Sequence, residues 1–345
     1  MLPQLLNETH FTLIDEYRKS TDRKPLNKNS MKQFIANYNI LSRKMNKDNY
    51  LEDFDGVMSH IDDDEVKNST QRNYLNSIIT WAQVDNINKE ITDKYIVERN
   101  KRNNIYNEEQ ATGKMGEDDV FVTKEELLDM FKIINKQLVG NDIFKKNWDI
   151  IENNDKDLYT YYMMMNLYMI HPLRNDYGEM IRLTKKQFEM LSDEEKSMKN
   201  YLLKSDRYYM LAIGDYKTNI NKETKMIDII DKSFLTLLRK FLKVKGQSEY
   251  LFDLKSQPFT KNQVTKFLQK FSKKYLGKPV SSRSLRKSFY TETYGNGDVD
   301  LQQLKKDADN NLHSVGTAIG IYTKTNQIEL QTVAQEVPDE TPPLL

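Results

Sequence analysis

Much of the chain shows the periodicity of amphipathic α-helices. Within residues 29–43, apolar side chains recur at intervals of three and four behind a candidate N-cap, Ser30. These apolar positions are Met31, Phe34, Ile35 and Tyr38. Side chains at i, i+3, i+4 and i+7 lie on one face of a helix, so the stretch predicts a helix with one buried face. Residues 68–83 repeat the pattern, and the two stretches together predict a small helical domain.

Polar stretches divide the chain into segments. We predict an N-terminal extension at residues 1–23 and a helical domain at residues 24–102. Residues 103–120 are polar, contain two glycines and lack apolar periodicity, which is typical of a linker. A larger second domain then spans residues 121–331, and residues 332–345 form an acidic, proline-rich tail that we expect to be disordered.

The second domain mixes helical and strand-like patterns. Thr123 and Glu126 have the spacing of a capping box. Residues 155–170 are apolar nearly all round, which predicts a buried central helix, and Pro172 ends it. Three strand-like runs follow, at residues 200–203, 207–214 and 224–230. The last two flank a polar turn and predict a β-hairpin, so the expected fold class is mainly α with a small antiparallel β-sheet or hairpin (α+β).

The composition excludes several classes of protein. The 345 residues include no cysteine, which excludes disulfides and thiolate metal sites and fits a reducing, intracellular compartment. No apolar run approaches the roughly 18 residues of a membrane-spanning helix, so no membrane partner is expected. No H-E-x-x-H pattern occurs either, and we expect neither a metal nor a cofactor.

Positive charge is concentrated in one part of the second domain. Residues 201–291 contain 20 Lys and Arg residues against seven Asp and Glu, a local net charge of +13, although the whole chain carries only +1. Such an asymmetry favours a domain that holds a polyanion. The alternative is a solvated, lysine-rich surface without a ligand.

Two basic residues lie at breaks between predicted elements. Arg174 follows Pro172 by two residues, so its cation is expected at the edge of the core rather than on a solvated face. Lys217 lies at the mouth of the hairpin turn, where a lysine can reach a substrate and donate a proton. Each has a plain alternative when taken alone: Arg174 can cap helix carbonyls, and Lys217 can be a turn residue without a role.

Two further arginines share one helical face. Arg283 and Arg286 are three positions apart, behind Ser281 or Ser282 as the candidate N-cap. Two guanidinium groups near a helix N-terminus form a good phosphate site. A structural role without a ligand is the alternative.

A histidine and a tyrosine lie nine residues apart near the end of the chain. In one unbroken helix this spacing corresponds to about 2.5 turns and places His313 and Tyr322 on opposite faces. Gly316 and Gly320 lie between them and permit a turn that would bring both side chains into one pocket. A core histidine and a core tyrosine without a function would explain the pair as well.

The order of these residues resembles the tyrosine recombinase (phage integrase) family. That family has an arginine after a buried helix, a lysine in a β-hairpin, an H/K/R-x-x-R pair in a helix, then a histidine and, nine residues on, a tyrosine. The matching positions are Arg174, Lys217, Arg283, Arg286, His313 and Tyr322. The sequences around Arg174 and Tyr322 are most similar to those of members from large DNA viruses and their mobile elements. The match covers roughly residues 121–324, and the N-terminal region resembles the family's core-binding domain by position and helix pattern only.

The resemblance implies cleavage and rejoining of DNA strands without metal or ATP. Tyr322 would attack the scissile phosphate and form a 3′-phosphotyrosyl link. Arg174 and Arg286 would bind the non-bridging oxygens. Lys217 would be the general acid for the 5′-oxygen, and His313 would contact the phosphate or orient the tyrosine. The implied partners are double-stranded DNA and further copies of the chain, as a dimer or tetramer on DNA.

The sequence departs from the family pattern in two places. Arg283 stands where many members have histidine, and a guanidinium has no acceptor, so it can hold phosphate but cannot take the tyrosine proton. His313 or water remain as acceptors. Many members also have a carboxylate three residues after the first arginine. Here a tyrosine occupies that position, and Asp176 or Glu179 is the candidate partner of Arg174.

Relatives often pass a C-terminal segment to a neighbouring protomer. The resemblance therefore implies that Ile328, Leu330 and Val333 dock on a second copy, and for the tail at residues 332–345 exchange between protomers stands as the alternative to disorder. Two alternatives to a recombinase stay open: a type IB topoisomerase, which relaxes supercoils by the same chemistry, and a catalytically silent DNA-binding protein. His313 follows Arg286 by 27 positions, and this compact spacing favours a recombinase.

Overall fold

The computed structural model describes residues 5–23, 25–26, 28–47, 49–63, 66–111, 120–206, 208–216, 219, 223–254, 257–295 and 299–323. The chain divides into two compact units, Met1–Thr112 and Gly113–Leu345. Lys217 and the proposed C-terminal docking residues Ile328, Leu330 and Val333 lie outside the described residues. Within the described ranges, no helix is long and apolar enough to cross a bilayer.

The described part of the first unit is helical. Its helices are α1 (Phe11–Ser20), α2 (Lys28–Met45), α3 (Phe54–Asp63), α4 (Asn68–Val84) and α5 (Lys89–Ala111), with 3-10 turns at Glu8–His10 and Tyr50–Glu52. The apolar faces of the helices meet in one core, in which Leu75 and Trp81 of α4 are almost fully buried. This core confirms the predicted apolar faces, although α2 begins two residues before the predicted cap, Ser30.

Two helices extend beyond the helical segment that the sequence predicted. α1 lies in the predicted extension, yet its Ile14 is buried in the core of the first unit. α5 continues through Ala111, well into the predicted linker at residues 103–120. The last turns of α5 contain only two large apolar residues, the adjacent Ile105 and Tyr106, so they carry no periodic signal from which a helix could be predicted.

The second unit is organised around one buried helix. Its helices are α6 (Lys124–Gly140), α7 (Asn153–Ile170), α8 (Lys185–Glu189), α9 (Asp193–Met198), α10 (Lys232–Lys245), α11 (Lys261–Leu276), α12 (Ser282–Tyr294), α13 (Leu301–Asn310) and α14 (Val315–Thr317), with 3-10 turns at Ile143–Lys145 and Trp148–Ile150. As predicted, α7 is buried on nearly all sides, and α6, α10, α11 and α12 pack around it. The predicted capping box of Thr123 and Glu126 begins α6.

A small mixed sheet lies in the second unit. Its strands, in spatial order, are β1 (Ile181–Thr184), β2 (Asn200–Lys204), β3 (Tyr209–Ile213) and β4 (Lys225–Ile229). β2, β3 and β4 are antiparallel and correspond to the three predicted runs. β1 was not predicted and pairs in parallel with β2, which makes the sheet mixed. A second pair, β5 (Asp253–Leu254) and β6 (Gln257–Pro258), is only two residues long. The fold class is thus mainly α with a small sheet, as the sequence predicted.

The end of the described chain forms a small apolar cluster with α12 and α13. Its buried members are Tyr290, Tyr294, Leu304, Ala308, Ala318, Ile319 and Tyr322. These residues come from α12, α13 and the turn at residues 318–322, so the cluster holds that turn against α12. This contact holds Tyr322 close to Arg286 of that helix.

Candidate active site

Arg174 lies where α7 ends. Pro172 cannot continue the helix and disfavours helical backbone at the preceding residue, so α7 ends at Ile170. Arg174 is half-buried in the turn that follows. Its Nη1 donates a hydrogen bond to the carbonyl oxygen of Leu312 at 3.3 Å. The end of α7 therefore contacts the segment that carries the predicted histidine.

Arg286 is buried in α12 and is only 2% exposed. Ser281 caps this helix, accepting a hydrogen bond from Ser284 N at 3.2 Å. Arg286 Nε donates to the carbonyl oxygen of Pro172 at 2.8 Å. Its Nη1 donates to the hydroxyl oxygen of Tyr322 at 2.7 Å. One guanidinium thus joins the end of α7 to the final turn of the described chain.

The final turn is a π-helical turn, Ala318–Tyr322. Thr323 N donates to the carbonyl oxygen of Ala318 at 2.9 Å, which closes the wide i→i+5 ring. Turns of this kind occur frequently at functional sites. The turn carries Tyr322 at its end, and this residue is 6% exposed.

The ring of Tyr322 is enclosed by aromatic and cationic side chains. Its centroid lies 5.1 Å from that of His313 and 6.1 Å from that of Tyr290. The guanidinium carbon of Arg286 lies 4.9 Å from the same centroid. These contacts hold the hydroxyl against the arginine rather than in solvent.

His313 reaches this pocket through a break in the chain that lies earlier than predicted. After α13, Leu312 adopts left-handed backbone with φ 62°, and Ser314 caps a new helical turn. The predicted turn at Gly316 and Gly320 is wrong, because neither glycine has a positive φ and an added Cβ would have room at both. The chain is redirected at Leu312, where a left-handed conformation costs about 1–2 kcal/mol.

His313 is held neutral in the pocket. Burial, reinforced by the charges of Arg286 and Arg174, lowers the pKa of His313 to about 3. Its Nδ1 lies 3.3 Å from the carbonyl oxygen of Ser314. A carbonyl can only accept, so Nδ1 carries the proton of this bond and Nε2 keeps a lone pair. Nε2 is buried and has no partner among the described residues.

The arginine side of the pocket holds a donor without an acceptor. Arg286 Nη2 is buried and unpaired within the described part of the chain. Buried polar atoms in native proteins are almost always hydrogen-bonded, and a charged group left unpaired is costly. The pocket therefore combines an unpaired cationic donor with an unpaired lone pair on His313, which suits an anion and a proton transfer. No cluster of three or more His, Asp or Glu side chains suited to a metal ion occurs in the described ranges.

The carboxylate close to the two arginines is that of Asp176. Asp176 is 3% exposed, whereas Glu179 is exposed. Burial raises the pKa of Asp176, opposed by the charges of Lys261, Arg286 and Arg174. Of the two carboxylates that the sequence left open, Asp176 is therefore the one placed to act on the arginines.

The structure brings four of the six predicted site residues together. They are Arg174, Arg286, His313 and Tyr322. Arg283 lies one turn before Arg286 in α12 and is exposed, so it is not part of the buried group. Lys217 lies outside the described residues.

Tyr290 is a pocket residue that the sequence did not single out. Its ring packs edge-on against His313 with a centroid distance of 5.1 Å. Its hydroxyl accepts a hydrogen bond from Asn311 Nδ2 at 2.9 Å, and burial raises the pKa of Tyr290. Tyr290 follows Arg286 by four residues on one helix, and that spacing alone places the two on one face.

Comparison with solved structures gives the class of fold. The chain is similar to the XerA recombinase, with 11% identity over 96% of this chain and 98% of that chain, but a TM-score of 0.39 is too low to support a conclusion. It is also similar to the XerH site-specific recombinase in a pre-cleavage complex with its difH substrate. That match has 12% identity, covers 96% of this chain and 90% of that chain, and has a TM-score of 0.50. No protein-family model and no curated protein matches the sequence.

The fold is that of a tyrosine recombinase. At 12% identity, the likeness to XerH shows the fold alone. Unrelated activities share folds, so the activity has to be inferred from the pocket itself.

Proposed function

We propose that this protein is a site-specific DNA recombinase that cleaves and rejoins strands through a 3′-phosphotyrosyl intermediate. The observation that carries the proposal is that Arg286 and His313 both contact Tyr322, while Arg174 is bonded to Leu312, the residue before His313. A tyrosine hydroxyl beside the guanidinium of Arg286, with the charge of Arg174 acting on the same pocket, suits attack on a phosphodiester, because the cations stabilise the charge that develops on phosphate. XerH was solved with its difH substrate, which is consistent with a DNA substrate here.

The scissile phosphate would lie between the two arginines. The bond from Arg286 Nε to Pro172 O fixes the plane of the guanidinium, and Nη2 is left without a partner in the described chain. A non-bridging phosphate oxygen at Nη2 would satisfy this buried donor. Arg174, half-buried at the same turn, would bind the second oxygen.

Attack forms the bond between the Tyr322 oxygen and phosphorus while the bond to the 5′-oxygen breaks. The Tyr322 oxygen accepts a hydrogen bond from Arg286 Nη1, so its own proton is available for transfer. We assign His313 Nε2 as the acceptor, because it carries a lone pair and has no other described partner. A phosphate bound between the arginines would offset their charge and raise the basicity of His313 above that in the empty pocket.

The 5′-oxygen leaves as a hydroxyl and needs a proton. We assign this proton to Lys217, which follows β3 in the turn of the predicted hairpin. In the reverse step, a 5′-hydroxyl attacks the phosphotyrosyl bond, which stores the energy of the phosphodiester, so no ATP is needed. Arg283, exposed on the same helix as Arg286, would hold a neighbouring backbone phosphate. Strand exchange between two duplexes requires further copies of the chain on DNA.

The test does not need a known DNA site. A pool of duplexes with a randomised central segment and a nick is incubated with the protein, and covalent adducts that survive SDS are recovered and sequenced. The wild type should enrich a defined site and give an adduct that maps by mass spectrometry to Tyr322. Tyr322→Phe should give no adduct.

The matched control is Tyr208→Phe, which removes a hydroxyl from an exposed tyrosine of the same unit. This variant should form the adduct as the wild type does. No adduct with the wild type, or an undiminished adduct with Tyr322→Phe, would contradict the proposal. Joining of two selected duplexes by the wild type would support a recombinase, whereas relaxation of supercoils without joining would indicate the topoisomerase instead.

A further inference from the structure

A buried asparagine joins the two chain segments that lead to Arg174 and Lys217. Asn200, the first residue of β2, is 5% exposed. Its Nδ2 donates to the carbonyl oxygens of Asp176 at 3.0 Å and Asp215 at 3.2 Å. Its Oδ1 accepts from Gly214 N at 3.1 Å and Asp215 N at 2.9 Å. An amide offers two donors and two acceptor sites, so every hydrogen bond that Asn200 can make is used.

Each of the two joined segments lies next to a predicted catalytic residue. Asp176 comes two residues after Arg174, and Asp215 comes two residues before Lys217. Both bonds from Asn200 to carbonyl oxygens are to backbone atoms, so they set the position of the chain and not that of a single side chain. A fully satisfied buried network of this kind specifies one arrangement.

Gly214 shows how closely the chain is held at this junction. A Cβ at this position would lie 2.0 Å from the carbonyl oxygen of Lys196 and 2.8 Å from that of Lys199. Both are backbone atoms, which cannot move away as a flexible side chain would. Only glycine therefore allows the end of β3 to approach α9 so closely.

One weaker link crosses the same junction nearer to solvent, and a second bond joins two residues within the Lys217 segment. Lys261 Nζ lies 2.9 Å from Asp215 Oδ2 and 4.0 Å from Asp176 Oδ1. Asn219 Nδ2 donates to the carbonyl oxygen of Gly214 at 2.5 Å. The lysine side chain is about half exposed, and exposed ion pairs contribute little. Asn200 is therefore the main link between the two segments.

We propose that Asn200 is a positioning residue that sets the start of the Lys217 turn relative to the Arg174 segment. This inference rests on the proposed function, in which Lys217 protonates the leaving 5′-oxygen while Arg174 holds the phosphate. Asn200 does not contact the phosphate. Its effect on the reaction is confined to the step in which the 5′-oxygen receives its proton.

The test compares two leaving groups on the DNA site recovered in the adduct selection. One substrate is the ordinary phosphodiester, whose 5′-oxygen needs a proton to leave. The other has sulfur in place of the bridging 5′-oxygen, and a thiolate leaves unprotonated because the pKa of a thiol is only about 8.5. A defect in proton donation therefore slows cleavage of the first substrate and spares the second.

Asn200→Asp is the informative variant, because it keeps the shape and the acceptor atoms but loses both donors and faces two carbonyl oxygens with a charge. Cleavage of the phosphodiester should fall on the order of 100-fold, the lower part of the range that a general acid supplies. Cleavage of the sulfur substrate should stay within about threefold of the wild type. The control is Asn166→Asp on α7, whose amide bonds to Tyr162 of its own helix; it should leave both rates unchanged.

Equal losses on both substrates, or no loss on either, would overturn the inference. The wild type reports on the proposed function in the same experiment, because it must cleave both substrates if that function is right. If Asn200→Asp does not fold, Asn219→Asp removes the donor to Gly214 O within the Lys217 segment, at a half-buried site. It should slow the phosphodiester several-fold and spare the sulfur substrate, and an equal loss on both would again overturn the inference.

Discussion

Each of the two units buries an arginine, but only the arginine of the first unit has carboxylate partners among the described residues. Arg102 in the first unit donates from Nε to Gln71 Oε1 at 3.2 Å and from Nη1 to Glu98 Oε2 at 3.0 Å. Its Nη2 forms an ion pair with Asp62. Arg286 in the second unit has no carboxylate partner in the described chain, and its Nη2 is unpaired.

The two units also differ in how many of their buried polar side-chain atoms lack a hydrogen bond. In the described part of the first unit, Trp81 Nε1 is the one buried side-chain polar atom without a hydrogen bond. In the second unit such atoms gather near the end of α7, on His171, Asp176, Arg286 and His313 among others. Burying polar groups without partners lowers stability. The second unit therefore gives up stability where a ligand can supply the missing partners, whereas the first unit does not.

The largest effect that separates the two arginines is expected from replacing each by methionine, which keeps an unbranched apolar stem and removes the charge. Arg286→Met should slow adduct formation by about 10²–10³-fold, the cost of one preorganised donor. Its melting temperature should stay close to that of the wild type, because the variant no longer buries an unpaired charge. Arg102→Met should lose about 2 kcal/mol of unfolding free energy, since its hydrogen bonds to charged partners disappear.

Single-turnover rates and thermal unfolding of both variants check this pair of expectations. The rate of folded Arg102→Met should equal that of the wild type. The comparison fails if Arg286→Met unfolds as readily as Arg102→Met, because Arg286 would then be held for structure. It also fails if Arg286→Met cleaves at the wild-type rate.

The strongest periodic signals in the sequence predicted the fold well. The apolar residues 155–170 form the buried helix α7, and the three strand-like runs form β2, β3 and β4. β1 was missed because a strand of four residues beside a turn carries little pattern. The polar end of α5 was missed because its contacts are tertiary, such as that of the Arg72 guanidinium with the ring of Tyr106, and no local pattern encodes them.

The order of residue types along the chain predicted which residues form the candidate site, but it did not predict how the backbone brings them together. Residue order grouped Arg174, Arg286, His313 and Tyr322, and the structure brings them together. The predicted turn at Gly316 and Gly320 is wrong because the chain is redirected at Leu312, a residue type that rarely adopts positive φ. Such a strained residue is held by its tertiary surroundings, so a local preference could not reveal it.

Acid should weaken the second unit, and His313 should be one reason. Its pKa is about 3 in the folded chain and about 6.5 when unfolded. Between these values the unfolded state binds a proton that the folded state does not, so the unfolding free energy falls as the pH drops below about 6.5. Burial also lowers the pKa of His171, to about 4, which acts in the same direction. The raised pKa of Asp176 acts in the opposite direction.

Denaturant unfolding at pH 7 and pH 5 measures this effect. The contribution of His313 at pH 5 should be about 1–2 kcal/mol. His313→Gln keeps a polar side chain but cannot titrate, so its loss between the two pH values should be smaller than that of the wild type by this amount. Parallel losses in the variant and the wild type would show that His313 is not buried in its neutral form.

The smallest effect concerns the other arginine of α12 and defines where the buried group ends. Arg283 is exposed one turn from Arg286, so it already has water as a partner and no missing acceptor. Arg283→Ala should weaken DNA binding by less than about tenfold and lower the slope of log affinity against log salt by about one phosphate contact. Cleavage within the bound complex should stay within about threefold of the wild type. Lys132→Ala is the control, because Lys132 is paired with Asp129 at 2.8 Å and its loss should leave the slope unchanged. A fall in the cleavage rate of the bound complex as large as that of Arg286→Met would mean that Arg283 enters the pocket when DNA binds. Arg283 would then belong, with Arg286, to the arginines that need a ligand as their partner.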